Sequence, residues 1–320
     1  MLTYIAQRLA TGFVTLFGVA AIVFLVLRII PGDAAVMLTG AGAGVVSEED
    51  LAQVRHKLGL DRSIPVQFAE WAGDLASGNF GTSLRTGNPV WTDIVRRFPY
   101  TLEIVVIAML LAVVLGVPAG VLAARFVGTW LDRAIQAFSI FGLAAPSFWI
   151  GLLLILGLVS LFSWSAPLYW EPFWVNPLGS LSQLIWPSIA VGLRQLALIT
   201  RMTRSIMLEV LGEDYIRTAR AKGLPERTVV FRHGLRNGLL PVVTLVGFEF
   251  AALFGSLIIT ETVFSVPGLG QYVVQSILNR DYPAAQGIVL VLAAIVVVGN
   301  LVVDLLYGWL DPRTRVQGAG

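Results

Sequence analysis

The chain reads as an all-α integral membrane protein with six transmembrane helices, and three observations carry that reading. Of its 320 residues, 56% are hydrophobic and only 13% charged, with a mean hydropathy of +0.79. A soluble domain carries a charged share of roughly 25%. Six apolar runs each approach or exceed the roughly 20 residues that cross a bilayer core. The arginines and lysines crowd onto alternate connections, as the positive-inside rule requires. The same composition excludes intrinsic disorder, which needs low hydrophobicity and high net charge.

The spans are expected at Leu9–Leu27, Thr101–Ala124, Ala134–Phe162, Leu181–Thr200, Leu239–Val263 and Ala284–Leu310. The first is too long for a signal-peptide core of about 7–15 residues, and no small-residue cleavage pattern follows it. Pro118 and Pro146 lie inside spans two and three, where each removes a helix hydrogen bond and favours a kink. The chain divides into residues 1–30 with span one, an external helical segment 31–100, a five-span core 101–310, and a tail 311–320. The core contains the loop 201–238.

Charge sets the orientation. With the N-terminus inside, the inner segments 1–8, 125–133, 201–238 and 311–320 hold thirteen arginines and lysines. The short outer loops 163–180 and 264–283 hold only Arg280. Both termini are therefore expected in the cytoplasm.

The outer segment 31–100 reads as short helices. Ser47 to Asp50 form a capping box. Leu51, Val54 and Leu58 mark one face, with Gly59 as a stop. Phe68, Trp71 and Leu75 mark a second, closed by Gly78. Val90, Ile94 and Phe98 mark a third. Such helices pack on the span tops, or offer a face to an external protein.

The inner loop 201–238 is the most informative stretch. Gly212 ends the run leaving span four, and Asp214 caps a short helix from Tyr215 to Lys222. Arg220 and Lys222 suit its negative C-terminal dipole, Gly223 suits a left-handed exit, and Pro225 cannot continue it. Pro225 then opens a helix over 225–236. A rigid short helix joined to two spans can carry force from a soluble partner. The bland alternative is a solvated basic loop.

Ionisable residues inside the bilayer are costly and are functional candidates. Arg194 and Glu249 lie deepest and either pair or line a pathway. Glu103 is expected in the first turn of span two, favoured by the helix dipole. Glu261 and Asp304 lie near span ends, within reach of headgroups or loops. Cysteine is absent, and His56 and His233 stand far apart. No thiolate site or zinc pairing follows. Neither Lys57 nor Lys222 follows a glycine, so there is no phosphate-binding G-x-x-x-x-G-K loop. Any ATP must be bound by another chain.

Several motifs now acquire a likeness. Glu213-Asp-Tyr-Ile-Arg-Thr-Ala-Arg-Ala-Lys-Gly223, with Arg232-His-Gly-Leu-Arg-Asn-Gly-Leu-Leu-Pro241, resembles the cytoplasmic loop of ABC-importer permeases. It is most similar to the B-type permease of the dipeptide, oligopeptide and nickel family. Pro31-Gly-Asp33, Leu58-Gly-Leu-Asp61, Gly78-Asn-Phe-Gly-Thr-Ser83, Pro99-Tyr-Thr-Leu102, Phe264-Ser-Val-Pro-Gly-Leu-Gly-Gln271 and Arg280-Asp-Tyr-Pro283 match in the same order along nearly the whole chain. Aligned on Gly223, the general E-A-A-x3-G positions fall on Arg217, Thr218 and Ala219. The usual glutamate is thus replaced, with Glu213 and Asp214 just upstream.

The resemblance implies a permease-type bundle without catalysis or cofactor of its own. It implies a homologous C-type permease beside it, two ATPase subunits that bind ATP and magnesium below it, and an external solute-binding protein above it. Glu213, Asp214, Tyr215, Arg217, Thr218, Ala219, Arg220, Lys222 and Gly223 would receive the ATPases. Peptides are the expected solute, with nickel, glutathione or another small solute as alternatives. A self-contained secondary transporter or channel is disfavoured: no inverted repeat of three spans is visible, and the basic loop would have no task. No side-chain constellation suggests a membrane enzyme, and nothing suggests nucleic acid.

Overall fold

The structure is a computed structural model that describes residues 2–29, 52–53, 56, 61–165, 167 and 169–310. The capping box at Ser47–Asp50, the stripe of Leu51, Val54 and Leu58, Gly59, the Pro31–Asp33 motif and the 311–320 tail lie outside the described residues. Among those described, the one β feature is an isolated bridge between Thr82 and Pro89.

Helix α1 (Leu2–Ile29) packs along the last helix, α10 (Tyr282–Leu310). Arg8 Nη1 meets Asp304 Oδ2 at 3.0 Å, so Asp304 reaches a partner helix and not only headgroups. Helix α2 (Ile64–Ala76) lays the expected stripe on the top of α1. Phe68 sits 5.2 Å and Trp71 5.4 Å from the Phe24 ring, and Phe24 is fully buried.

Helix α3 runs unbroken from Val90 to Arg125, through both Pro99 and Pro118. The third outer helix expected at Val90–Phe98 is thus the opening of span two. Pro89 precedes the helix at φ −56°, and Asp93 favours its first turn. Inside a bundle, neighbouring groups make up for the amide that each proline lacks.

Span three is not one helix. It is α4 (Trp130–Ala144) and α5 (Ser147–Phe162), bent by 104°. Pro146 disfavours helical backbone at the residue before it. Ala145 is extended accordingly, at ψ 125°.

Helix α6 (Pro177–Gly212) packs against α3, α4, α5 and α8. Its approach to α3 is close enough to require glycine. A Cβ on Gly120 would meet the Thr200 carbonyl at 2.6 Å, and one on Gly192 would meet the Ala108 carbonyl at 3.1 Å. Small residues let membrane helices approach backbone to backbone, where packing replaces the hydrophobic effect as the driving force.

The inner loop is α7 (Asp214–Ala221), and α8 follows as one continuous helix, Glu226–Phe264. The separate helix expected at 225–236 therefore merges into span five, through a π-helical stretch at Val229–Leu235. Helix α9 (Leu269–Leu278) lies across the outer loop before α10. Helices α1, α3, α8 and α10 are long and apolar enough to cross a membrane, and the bent α4–α5 pair makes a fifth where its two helices are taken as one span. Helix α6 is long enough but less apolar. Enclosed by other helices, it has little lipid to face along most of its length and tolerates Ser188 and Gln195.

Candidate functional site

The inner loop is held by a small apolar seat. Ile216 and Ala219 of α7 are buried against Val229, with Leu211 beside them. The opposite face is open: Asp214, Tyr215, Arg217, Thr218 and Arg220 are all exposed. Helix α7 begins one residue earlier than expected. Glu213 takes the N-cap position without a side-chain cap bond, and Asp214 lies inside the first turn. Asp214 pairs with Arg217 at 3.1 Å, and its carbonyl accepts the Thr218 hydroxyl at 2.9 Å.

The exit turns on Gly223, at φ +76°, a backbone that a side chain disfavours. Arg220 donates two hydrogen bonds to Glu226, at 2.9 and 3.2 Å, closing the turn from α7 to α8. The bonds from Arg220 hold the Glu226 carboxyl below the usual carboxylate range. Tyr215 accepts a bond from Asn237 Nδ2 at 3.1 Å, which ties α7 to α8 again. Lys222 is exposed at the helix end.

At bilayer depth, Arg194 Nη1 lies 3.6 Å from Glu249 Oε2, so α6 and α8 bring the two predicted residues together. Gln195 Nε2 donates a hydrogen bond to the same Glu249 oxygen, at 3.0 Å. Arg194 precedes Arg201 by seven positions, about 10 Å of helix. The arginine side chain is 56% exposed and the glutamate 18%.

Two carboxylates behave otherwise than expected. Helix α3 starts at Val90, so Glu103 is not in a first turn. It accepts bonds from Ser180 Oγ and from the Phe173 amide at 3.0 Å, fastening the loop before α6. Glu261 does not reach headgroups. It is fully buried and accepts the Thr101 hydroxyl at 2.7 Å, the Gln271 amide at 3.0 Å and the Gly270 amide. Thr101 in turn accepts the Leu269 amide at 2.8 Å. The carboxylate thus seats the positive N-terminal end of α9.

A second buried polar group lies beside it. Asp281 accepts Ser83 Oγ and the Leu84 amide, and Asp93 accepts the Tyr272 hydroxyl at 3.1 Å. Burial, and after it the Asp93 carboxylate, pushes the Tyr272 hydroxyl well above its usual range, so it stays a donor. Arg97 stacks on the Tyr272 ring at 4.3 Å. Sequence reasoning also missed Asp132, which takes a bidentate bond from Arg204 at 2.7 and 2.9 Å. Its signal was a lone acid in an otherwise basic inner loop.

Residues 1–105 match the N-terminal unit, and residues 116–316 the main unit, of the binding-protein-dependent transport system inner membrane component. The chain belongs to that family. Permeases of peptide transport systems are similar to it over nearly their full length. The di/tripeptide transport system permease protein DppB of Pseudomonas aeruginosa is 41% identical, over 99% of this chain and all of the relative. The dipeptide transport system permease protein DppB of Escherichia coli K12 is 40% identical, over 98% of this chain and 99% of the relative. The fold is shared with a crystal structure of an amino acid ABC transporter with histidines. That structure is 17% identical, with a TM-score of 0.50, over 69% of this permease and 94% of that chain.

Proposed function

We propose that this permease forms half of the translocation pathway of an ATP-driven importer of di- or oligopeptides. The observation that carries the substrate is its full-length likeness, at 41% and 40% identity, to permeases named for dipeptide and tripeptide transport. In this reading a homologous permease completes the pathway, and an external binding protein delivers the peptide. Two ATPase subunits bind and hydrolyse the ATP, so the chain has no catalysis or cofactor of its own.

The coupling part of the reading rests on α7. Its apolar side is buried on its own chain, while Glu213, Asp214, Tyr215, Arg217 and Thr218 face outward at the end carrying most of the basic residues. The clustering of basic residues supports a cytoplasmic position for this end and for both termini. ATP-driven closure of the ATPases would move α7, and Arg220–Glu226 and Tyr215–Asn237 would pass that motion to α8.

The test is uptake of labelled dialanine into proteoliposomes holding this chain, its partner permease, the ATPases and the binding protein. Uptake should require ATP and the binding protein. In intact cells, Asn88→Cys should react with an impermeant maleimide and Arg217→Cys should not. Dialanine uptake by this chain alone would point instead to a self-contained transporter.

A further inference from the structure

Helix α6 is the most enclosed of the spans, and its one opening is charged. From Gln183 to Thr200, Arg194 is the only exposed residue. A guanidinium carries five N–H donors. None of those on Arg194 makes a hydrogen bond among the described residues, and its contact with Glu249 is a loose ion pair at 3.6 Å. At this depth such a group cannot face lipid without a large cost. Beside it, Gln195 holds Glu249, while its own Oε1 is buried without a partner. The cluster is built to hold Glu249 and leaves the arginine open.

A peptide crosses as a zwitterion. A low-dielectric passage must supply both signs of charge to carry it. A weak, neutral pair meets that need: the peptide carboxylate takes the arginine, its ammonium takes the glutamate, and net charge is unchanged. We propose that Arg194 and Glu249 line the aqueous pathway and exchange their mutual contact for the two ends of a passing peptide, with Gln195 as the positioning residue for Glu249. The substrate half of this inference rests on the peptide reading above; the pathway half does not.

The experiment uses the complete importer in nanodiscs and proteoliposomes. The chain has no native cysteine, so single introduced ones report cleanly by the mass of this subunit. Arg194→Cys should react with the membrane-impermeant thiosulfonate MTSES on the order of tenfold faster than Leu156→Cys, because the reactive thiolate forms only in water. Leu156 is exposed on the apolar face of α5. Equal rates would overturn the pathway assignment and place Arg194 against lipid or a partner. Arg194→Gln and Glu249→Gln should each lower dialanine uptake about tenfold at saturating binding protein, the loss of one charge-assisted bond. Arg194→Lys and Glu249→Asp should recover part of it. Normal uptake in both glutamine variants would overturn the charge exchange. Absence of dialanine uptake in the unaltered importer would remove the peptide reading, and the MTSES rates would still decide the pathway half.

Discussion

The outer cap of the bundle and the inner helix α7 are built in opposite ways. At the outer end, polar groups far apart in sequence are buried together. Glu261 reaches Thr101, Asp281 reaches Ser83, and Asp93 reaches Tyr272. At the inner end one long-range pair joins a buried Asp132 to Arg204, but the ion pairs of α7 itself are local and exposed, and a few apolar side chains with the Asn237–Tyr215 bond hold the helix down. A buried network is satisfied only in one arrangement, so it fixes geometry. An exposed pair contributes little and leaves its charges free for another molecule. The outer cap is therefore set by this chain, while α7 leaves its charged face open.

The largest effect should come from breaking the outer network. Glu261→Leu would leave the Thr101 hydroxyl and two amides unmatched, at about 1–3 kcal/mol for each buried group. The purified yield and thermal midpoint of the assembled complex should drop sharply, with a smaller drop for Glu261→Gln. A midpoint unchanged by the leucine variant would show that the buried carboxylate does not seat α9.

An intermediate effect belongs to Gly223. A left-handed backbone costs a residue with a side chain roughly 1–2 kcal/mol, and no neighbour lies within 4 Å of an added Cβ. Gly223→Val should therefore leave the assembled complex stable while uncoupling ATP hydrolysis from uptake. Normal peptide uptake with normal ATPase stimulation would refute the docking role of α7.

The smallest effect lies in the Arg220–Glu226 pair. Both side chains are 41% exposed, so solvent screens them, and Glu226→Gln should cost well under about 1 kcal/mol. The folded carboxyl titrates lower than the unfolded one, so the contribution exists above the unfolded pKa and is lost as pH falls through the folded value. Thermal midpoints of the parent and variant should converge in acid and in high salt. A gap that persists there would mean that Glu226 acts by packing.

Legibility in the sequence followed the range of each interaction. Helix α7 was readable because its stop signals, Arg220, Lys222, Gly223 and Pro225, are neighbours. The shared depth of Arg194 and Glu249 was readable because helix rise is regular. Pro118 and Pro146 looked alike, yet one sits in an unbroken helix and the other marks a 104° bend. Whether the preceding residue stays helical depends on packing that no local signal states. Glu261 was misjudged because Thr101 stands 160 residues away. The start of α3 was placed too late because Pro99 reads as a breaker when its surroundings are unknown.

Helix α8 runs 39 residues without interruption, roughly 58 Å at 1.5 Å per residue. It starts beside the Arg220 bridge and ends at the seat of α9, so one rod touches both faces of the membrane. A rod turned about its axis delivers the same angle at each end unless it yields somewhere. The place to yield is the wide turn at Val229–Leu235, and there Val230 and Gly234 are packed against Met207 of α6. With that turn clamped, any torque applied at Glu226 would arrive at Glu261 as rotation.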